Sequence, residues 1–222
     1  MIWLWIGAPV TIAAYVAFVR LHARRRSLLT LPILASSVLL AAVLSTRLGD
    51  LGAYERGTMP LRFLLGPATL ALAVPLARRR ALLRAHLRAV LAVAVGAIVG
   101  ALSAMLLSRA VGLSPTLVAT ITPKSVTTPI AMPIAERLGG VPTITAAIVV
   151  LVGVFGAAVG PWVLDRLRVQ GDVARGLAMG TAAHGVGTAQ SLREGETRGA
   201  SAGVAMVVAG VVTAVIAPFI VR

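Results

Sequence analysis

Apolar residues fill this chain in long blocks rather than in short alternating runs. The clear blocks lie at about 1–19, 28–46, 87–108, 142–164 and 199–221, and two less uniform ones at 61–77 and 173–192. Runs of about 18–20 apolar residues are long enough to cross the hydrocarbon core of a bilayer as a helix. The pattern therefore predicts an all-α polytopic membrane protein of about seven transmembrane helices, in a single integral membrane domain over 1–222. The first block is not a cleavable signal peptide, because its positive cluster follows the apolar run instead of preceding it.

Three segments interrupt the apolar pattern. Phe63-Leu64-Leu65-Gly66-Pro67-Ala68-Thr69 carries Pro67, which removes a backbone donor and disfavours helix at Gly66. Segment 114–137 holds Pro115, Pro123, Pro129 and Pro133 around Thr122-Pro123-Lys124-Ser125-Val126-Thr127-Thr128-Pro129. Pro123 and Pro129 forbid a continuous helix and free backbone groups, which is tolerated at membrane depth only where protein buries them or a cavity receives them. The third, Gly176 to Gln190, contains Gly180-Thr181, His184-Gly185 and Gly187-Thr188, a composition suited to an unwound stretch or to close helix packing.

Composition sharpens this picture. The chain is 58% hydrophobic, and of its 21 basic residues only Lys124 is a lysine; it sits in an otherwise apolar stretch. An ammonium at membrane depth costs about 2.5–3.5 kcal/mol on insertion scales, so such a group faces a cavity more often than lipid. A helix starting at Pro123 or Pro129 would point unpaired N–H groups into the membrane, an arrangement suited to a carboxylate. Lys124, Ser125, Thr127 and Thr128 are thus candidate anion ligands, assisted by backbone at Gly180, Thr181 and Gly185. His184 is the candidate for proton coupling, because imidazole titrates in the physiological range. The plainer alternatives are a hydrogen-bonded interhelical His184, back-bonded Thr181 and Thr188, and a Lys124 that snorkels to the interface.

The net charge of +14 does not indicate nucleic-acid binding, because the arginines cluster between apolar blocks. That is the pattern of cytoplasmic loops facing anionic lipid. If 114–137 dips into the membrane without crossing, loops 20–27, 78–88 and 165–175 together with Arg222 lie inside, giving 13 arginines inside and 7 outside. Segments 28–112 and 113–222 then form two repeats of opposite orientation, the inverted-repeat architecture of many secondary transporters. There is no cysteine, which excludes disulfides and thiolate metal sites, and no histidine pair at ligand spacing. No metal or other cofactor is expected. A hydrolase built on Ser125 is disfavoured, because no GxSxG-type turn surrounds it.

Several of these stretches resemble the LrgB/CidB family of bacterial membrane proteins. They are Leu65-Gly66-Pro67-Ala68-Thr69, Thr122 to Ala131, Gly139-Gly140, Gly153 to Gly160-Pro161, and Ala174 to Thr188. The resemblance covers about residues 55–222 and implies a multi-pass bacterial plasma-membrane location. It implies one of two functions: transport of small monocarboxylates of the pyruvate or glycolate type, or an antiholin-like control of murein hydrolase activity with an LrgA/CidA-type partner. Alternating access, proton or sodium coupling and a homo-oligomer are further expectations. Pro67, Thr69, Pro123, Pro129, Gly187 and Thr188 are the expected helix-breaking positions.

Overall fold

Apolar blocks without internal breakers form single long helices, while the interrupted ones fold back. The computed structural model describes residues 2–25, 30–46, 49–64, 67 and 87–221. Two compact units are present, Met1–Ala68 and Thr69–Arg222.

In the first unit α1 (Ile2–Arg24) packs with α2 (Pro32–Leu44), α3 (Leu51–Gly57) and α4 (Met59–Phe63). Pro32 opens α2, where its missing N–H has no helical acceptor to lose, and Asp50 caps α3 by accepting from the Ala53 amide at 2.9 Å. α2 has 13 residues, about 20 Å of rise, so the 28–46 block gives a helix shorter than a straight membrane span. Trp3 meets Tyr54 edge-on at 5.9 Å, and the Tyr54 hydroxyl pairs with Thr11 Oγ1 at 2.8 Å. A cleft of about 720 Å³ lined by Ile12, Tyr15, Ser36, Leu40 and Tyr54 opens in this unit, with no charged group on its wall.

The second unit is built on three long apolar helices: α5 (Leu87–Ala110), α8 (Pro142–Arg166) and α10 (Glu196–Ile220). Among the described residues these and α1 are long and apolar enough to cross a membrane. With no strand among those residues, the chain is an all-helical polytopic membrane protein. The interior inverts the habit of water-soluble proteins. Ala97, Ala101, Ala135, Ala183, Ala202, Ala205 and Ala217 are buried, while Leu91, Val95, Val99, Phe155, Trp162, Val215 and Phe219 point outward. Lipid tails solvate large apolar side chains as well as protein does, so small residues go where backbones must approach.

Between the long helices lie two chain reversals. α6 (Pro115–Ile121) and α7 (Thr128–Arg137) flank the break at 122–127, and Gly140, just beyond α7, returns to the backbone of Ala119 and Thr120. Thr120 fastens this base, accepting from the Val141 amide through Oγ1 at 2.9 Å and from Thr145 Oγ1 through its carbonyl at 2.9 Å. The second reversal lies inside α9 (Asp172–Glu194), where Ala183 and His184 leave helical geometry and His184 takes φ +39°. Arg198 pairs with both Asp172 and Glu194, the two ends of α9, which a straight helix would hold about 33 Å apart. A Cβ at Gly187 would lie 2.6 Å from the Met179 carbonyl oxygen. α9 is therefore a hairpin of two arms, each about 15 Å long, half the thickness of the hydrocarbon core.

This reversal revises the expected topology. The 173–192 block does not cross, so Arg193 and Arg198 lie at the same end as Arg166, Arg168 and Arg175. Arg109 at the C-terminal end of α5 donates to the Val221 carbonyl at 2.8 Å, which puts the end of α10 at the opposite face from loop 165–175. Arg222, Arg78, Arg79, Arg80, Arg84 and most of the 61–77 block lie outside the described residues, while Arg88 is in the first turn of α5. α5 and α10 run parallel and α8 antiparallel to them, so the α6–α7 and α9 hairpins enter from opposite ends.

α10 lies against both arms of α9. Gly176 and Gly180 meet the carbonyls of Arg198 and Ala202, while Gly199 and Gly203 meet Leu192 and Thr188 on the returning arm. At Gly180 a Cβ would lie 2.8 Å from the Ala202 Cα, a backbone contact that no side-chain rotation relieves. Gly180→Ala is expected to cost about 1–3 kcal/mol and to lower the melting temperature in detergent by roughly 3 °C or more. At Gly203 the nearest atom to an added Cβ is Thr188 Cγ2 at 3.9 Å, so Gly203→Ala should melt no lower than the parent protein. Thermal unfolding of the two variants side by side checks both outcomes.

Candidate functional site

The first tip is shaped by its two prolines. α6 ends at Ile121, a turn follows in which the Lys124 amide donates to the Ile121 carbonyl at 3.0 Å, and α7 begins after Thr127 with Pro129 in its first turn. Thr122, Pro123 and Val126 are buried, and Val126 packs on Val149 of α8. Lys124, Ser125, Thr127 and Thr128 are half-buried on the other side of the turn. Thr127 has the N-cap position of α7 but its hydroxyl caps nothing, and the amides of Ser125, Thr127 and Thr128 have no hydrogen-bond partner among the described residues. Lys124 Nζ donates to Ser125 Oγ at 3.1 Å and pairs with no carboxylate among the described residues. An ammonium, hydroxyls and free amides thus share one short turn.

The second tip is satisfied internally. His184 is 4% exposed, and its Nε2 donates to the Val149 carbonyl at 2.9 Å. Its ring lies on Gly153 of α8, where a Cβ would be 2.6 Å from Cε1. Thr188 Oγ1 donates to the His184 carbonyl at 2.7 Å, and Thr181 Oγ1 to Leu177 at 2.7 Å, both bonding back along their own arm. The donor at Nε2 leaves Nδ1 as the ring atom without a partner among the described residues. A non-glycine residue in this left-handed conformation stores of order 1–3 kcal/mol, which the Val149 bond and the close seat on Gly153 offset.

The two tips meet near the middle of α5. Gly100 faces Ser125 Oγ, and Gly96, one turn earlier on the same face, faces the methyl of Thr181. Val149 joins them from the other side, sharing a buried cluster with Val126 and accepting from His184 through its carbonyl. Lys124, Ser125, Thr127, Thr128 and Thr181 are thereby brought into one region. The others do different things: Gly180 packs on α10, Gly187 on the opposite arm of α9, and Gly185 faces Met206. Pro67 is helical and exposed, and Thr69 lies outside the described residues. Gly96, Gly100 and Val149 were not singled out from the sequence, and Gly153 entered only as the start of a family-like stretch. They sit in α5 and α8, which read as uninterrupted apolar blocks, and only the glycine spacing of four at 96 and 100 hinted at a face for close approach.

Residues 11–222 match the LrgB-like family. The chain is 35% identical to the uncharacterized protein YxaC of Bacillus subtilis (strain 168), over 96% of this chain and 93% of that one. It is 31% identical to an uncharacterized Haemophilus influenzae protein, over 95% and 92%. To the antiholin-like protein LrgB of Bacillus mycoides it is 34% identical, over 74% and 72%. No solved structure matches the chain. With the family match spanning almost the whole sequence, the chain belongs to the LrgB-like family.

Proposed function

We propose that this protein is a multi-pass plasma-membrane carrier for a small monocarboxylate, with the first tip as the substrate site. One observation carries the reading: among the described residues Lys124 has no counter-ion and lies beside three amides without a partner, where two opposed hairpins meet against the middle of a long apolar helix. A carboxylate bound there would accept from the ammonium, the Ser125 hydroxyl and the α7 N-terminal amides together. The helices that follow the two hairpins, α8 and α10, run in opposite directions; taking these two hairpin-and-helix segments as the inverted repeat, in place of the 28–112 and 113–222 halves, gives a site exposed alternately to either side. His184 Nδ1 is the atom on which a coupling proton would sit. The chain carries no pair of carboxylates near either tip among the described residues, so proton coupling is preferred to sodium.

A second reading is favoured by the name of the Bacillus relatives, antiholin-like protein LrgB. On it, the chain assembles with a small LrgA/CidA-type membrane protein and restrains murein hydrolase activity, and the hairpins serve only packing. As far as names go, the relatives support this reading better than the carrier. The chemistry of Lys124 separates the two.

Uptake of labelled pyruvate, glycolate and lactate into proteoliposomes of the purified protein tests the carrier. Lys124→Ala is expected to lower kcat/KM by about 10–100-fold, the loss of a charge-assisted hydrogen bond, with the fold retained. Lys124→Arg should recover only part of it, because the guanidinium cannot occupy the same point position beside Ser125. Absence of uptake by folded wild type, with a lysis phenotype that survives Lys124→Ala in cells, would decide for the antiholin-like role. His184→Gln keeps a donor for the Val149 carbonyl but no titrating nitrogen. It should retain uptake at equal pH and lose the stimulation given by a pH gradient; unchanged stimulation would remove His184 from the coupling.

A further inference from the structure

The two ends of the second unit carry charge differently. At one end α8 closes with Asp165 and Arg166, α9 starts at Asp172 and returns to Glu194, and α10 begins at Glu196. Arg175 ties this end together, with Nη1 2.7 Å from Asp165 Oδ1 and donating to the Val169 carbonyl at 3.2 Å. Arg198 joins Asp172 to Glu194 beside it. α5 starts at the same end, because it runs parallel to α10, and Arg88 is in its first turn. At the opposite end lie the close of α5 with Arg109, the start of α6, the close of α7 with Glu136 and Arg137, and the start of α8.

Among the described residues, Arg88, Arg166, Arg168, Arg175, Arg193 and Arg198 therefore mark the α9 end, and only Arg109 and Arg137 the α6–α7 end. Carboxylates are present at both ends, but they bear little on orientation, which follows the basic residues flanking apolar spans. Anionic headgroups of the cytoplasmic leaflet attract such an end and hold it. The way each hairpin is closed divides the ends in the same sense. Ion pairs close the α9 base, and residues 165–198 hold nine charged side chains that would have to pass through hydrocarbon if this end were translocated. Neutral bonds through Thr120 and Thr145 close the α6–α7 base, and within 111–141 only Lys124, Glu136 and Arg137 are charged. The second segment is the cheaper one to carry across.

We propose that the second unit sits with its α9 end in the cytoplasm and the base of its α6–α7 hairpin outside. The C-terminal end of α10 is then outside, where the apolar blocks counted as crossings put it inside. The hairpin that carries His184 is rooted at the inner surface, and the hairpin that carries Lys124 at the outer one. This placement is independent of whether the protein is a carrier or antiholin-like.

The chain has no cysteine, so one introduced thiol reports its own position alone. Thr116 and Glu136 are exposed at the α6–α7 end, and Gln170 and Thr197 at the α9 end. Thr116→Cys, Glu136→Cys, Gln170→Cys and Thr197→Cys are each treated in spheroplasts with a sulfonated maleimide that does not cross membranes, and again after permeabilisation. Thr116→Cys and Glu136→Cys are expected to label in intact spheroplasts roughly tenfold more than the other two, with all four labelling once the membrane is opened. Two positions per end keep the test decisive if one variant fails to accumulate. The reverse pattern would overturn the orientation. Labelling of an α9-end and an α6–α7-end position from the same side would overturn it as well, because α8 would then not separate the two ends. Protection of all four positions in intact spheroplasts would count against it equally.

Discussion

A helix that turns back halfway through a membrane strands amides and carbonyls where water cannot reach them, and the second unit is organised around that cost. Its two reversals meet it in opposite ways. At the α9 tip, His184 donates to Val149, Thr188 caps the His184 carbonyl, and the arms press together through Gly187, so the turn is closed on itself. At the α6–α7 tip, prolines remove some donors and turn bonds satisfy others, yet among the described residues the amides of Ser125, Thr127 and Thr128 have no partner and the Lys124 ammonium has only the Ser125 hydroxyl. The asymmetry leaves the unpaired donors at the first tip, while the second is closed by its own hydrogen bonds.

The bases of the hairpins follow from the same constraint. Arg198 bridges Asp172 and Glu194, and Gln190 Nε2 donates to Glu194 Oε1 at 2.9 Å, so charge closes the open end of α9 at the membrane surface. Exposed ion pairs are individually worth little, and this cluster's contribution is register more than stability. It fixes both ends of α9 against the start of α10, and the glycine contacts at 176, 180 and 199 then set how closely the three strands of helix lie. The α6–α7 base uses neutral hydrogen bonds through Thr120 and Thr145 instead, both fully buried.

How far the sequence discloses this depends on where the signal is local. Pro123 and Pro129 mark the first break to the residue, because proline acts on its own backbone and on its neighbour. The glycine-rich third segment announces close packing or unwinding, and both are present. Its complete reversal is not legible, since the residue that turns the chain is His184 at φ +39°, with Gly185 beside it as the more obvious candidate. The pairing that reveals the hairpin joins Asp172 to Arg198 across 26 residues, a distance at which single-sequence patterns carry no information. Counting α9 as a crossing in turn misassigned the end of α10. The partners of both tips on α5 and α8 were hidden for another reason: a glycine face in an apolar block has the hydropathy of any other face.

Lys124 is the residue for which packing gives no account. Holding an ammonium at membrane depth costs about 2.5–3.5 kcal/mol, and the charge-assisted hydrogen bond to the neutral Ser125 hydroxyl returns about 1.5–3 kcal/mol of it. A scaffold whose task ended at helix association would be more stable with a methionine or leucine there. The surrounding turn could have offset the charge with a carboxylate, and among the described residues it does not. It offers more donors instead, in amides that α7 leaves unpaired. On the carrier reading, donors gathered around a cation are what an arriving carboxylate would use.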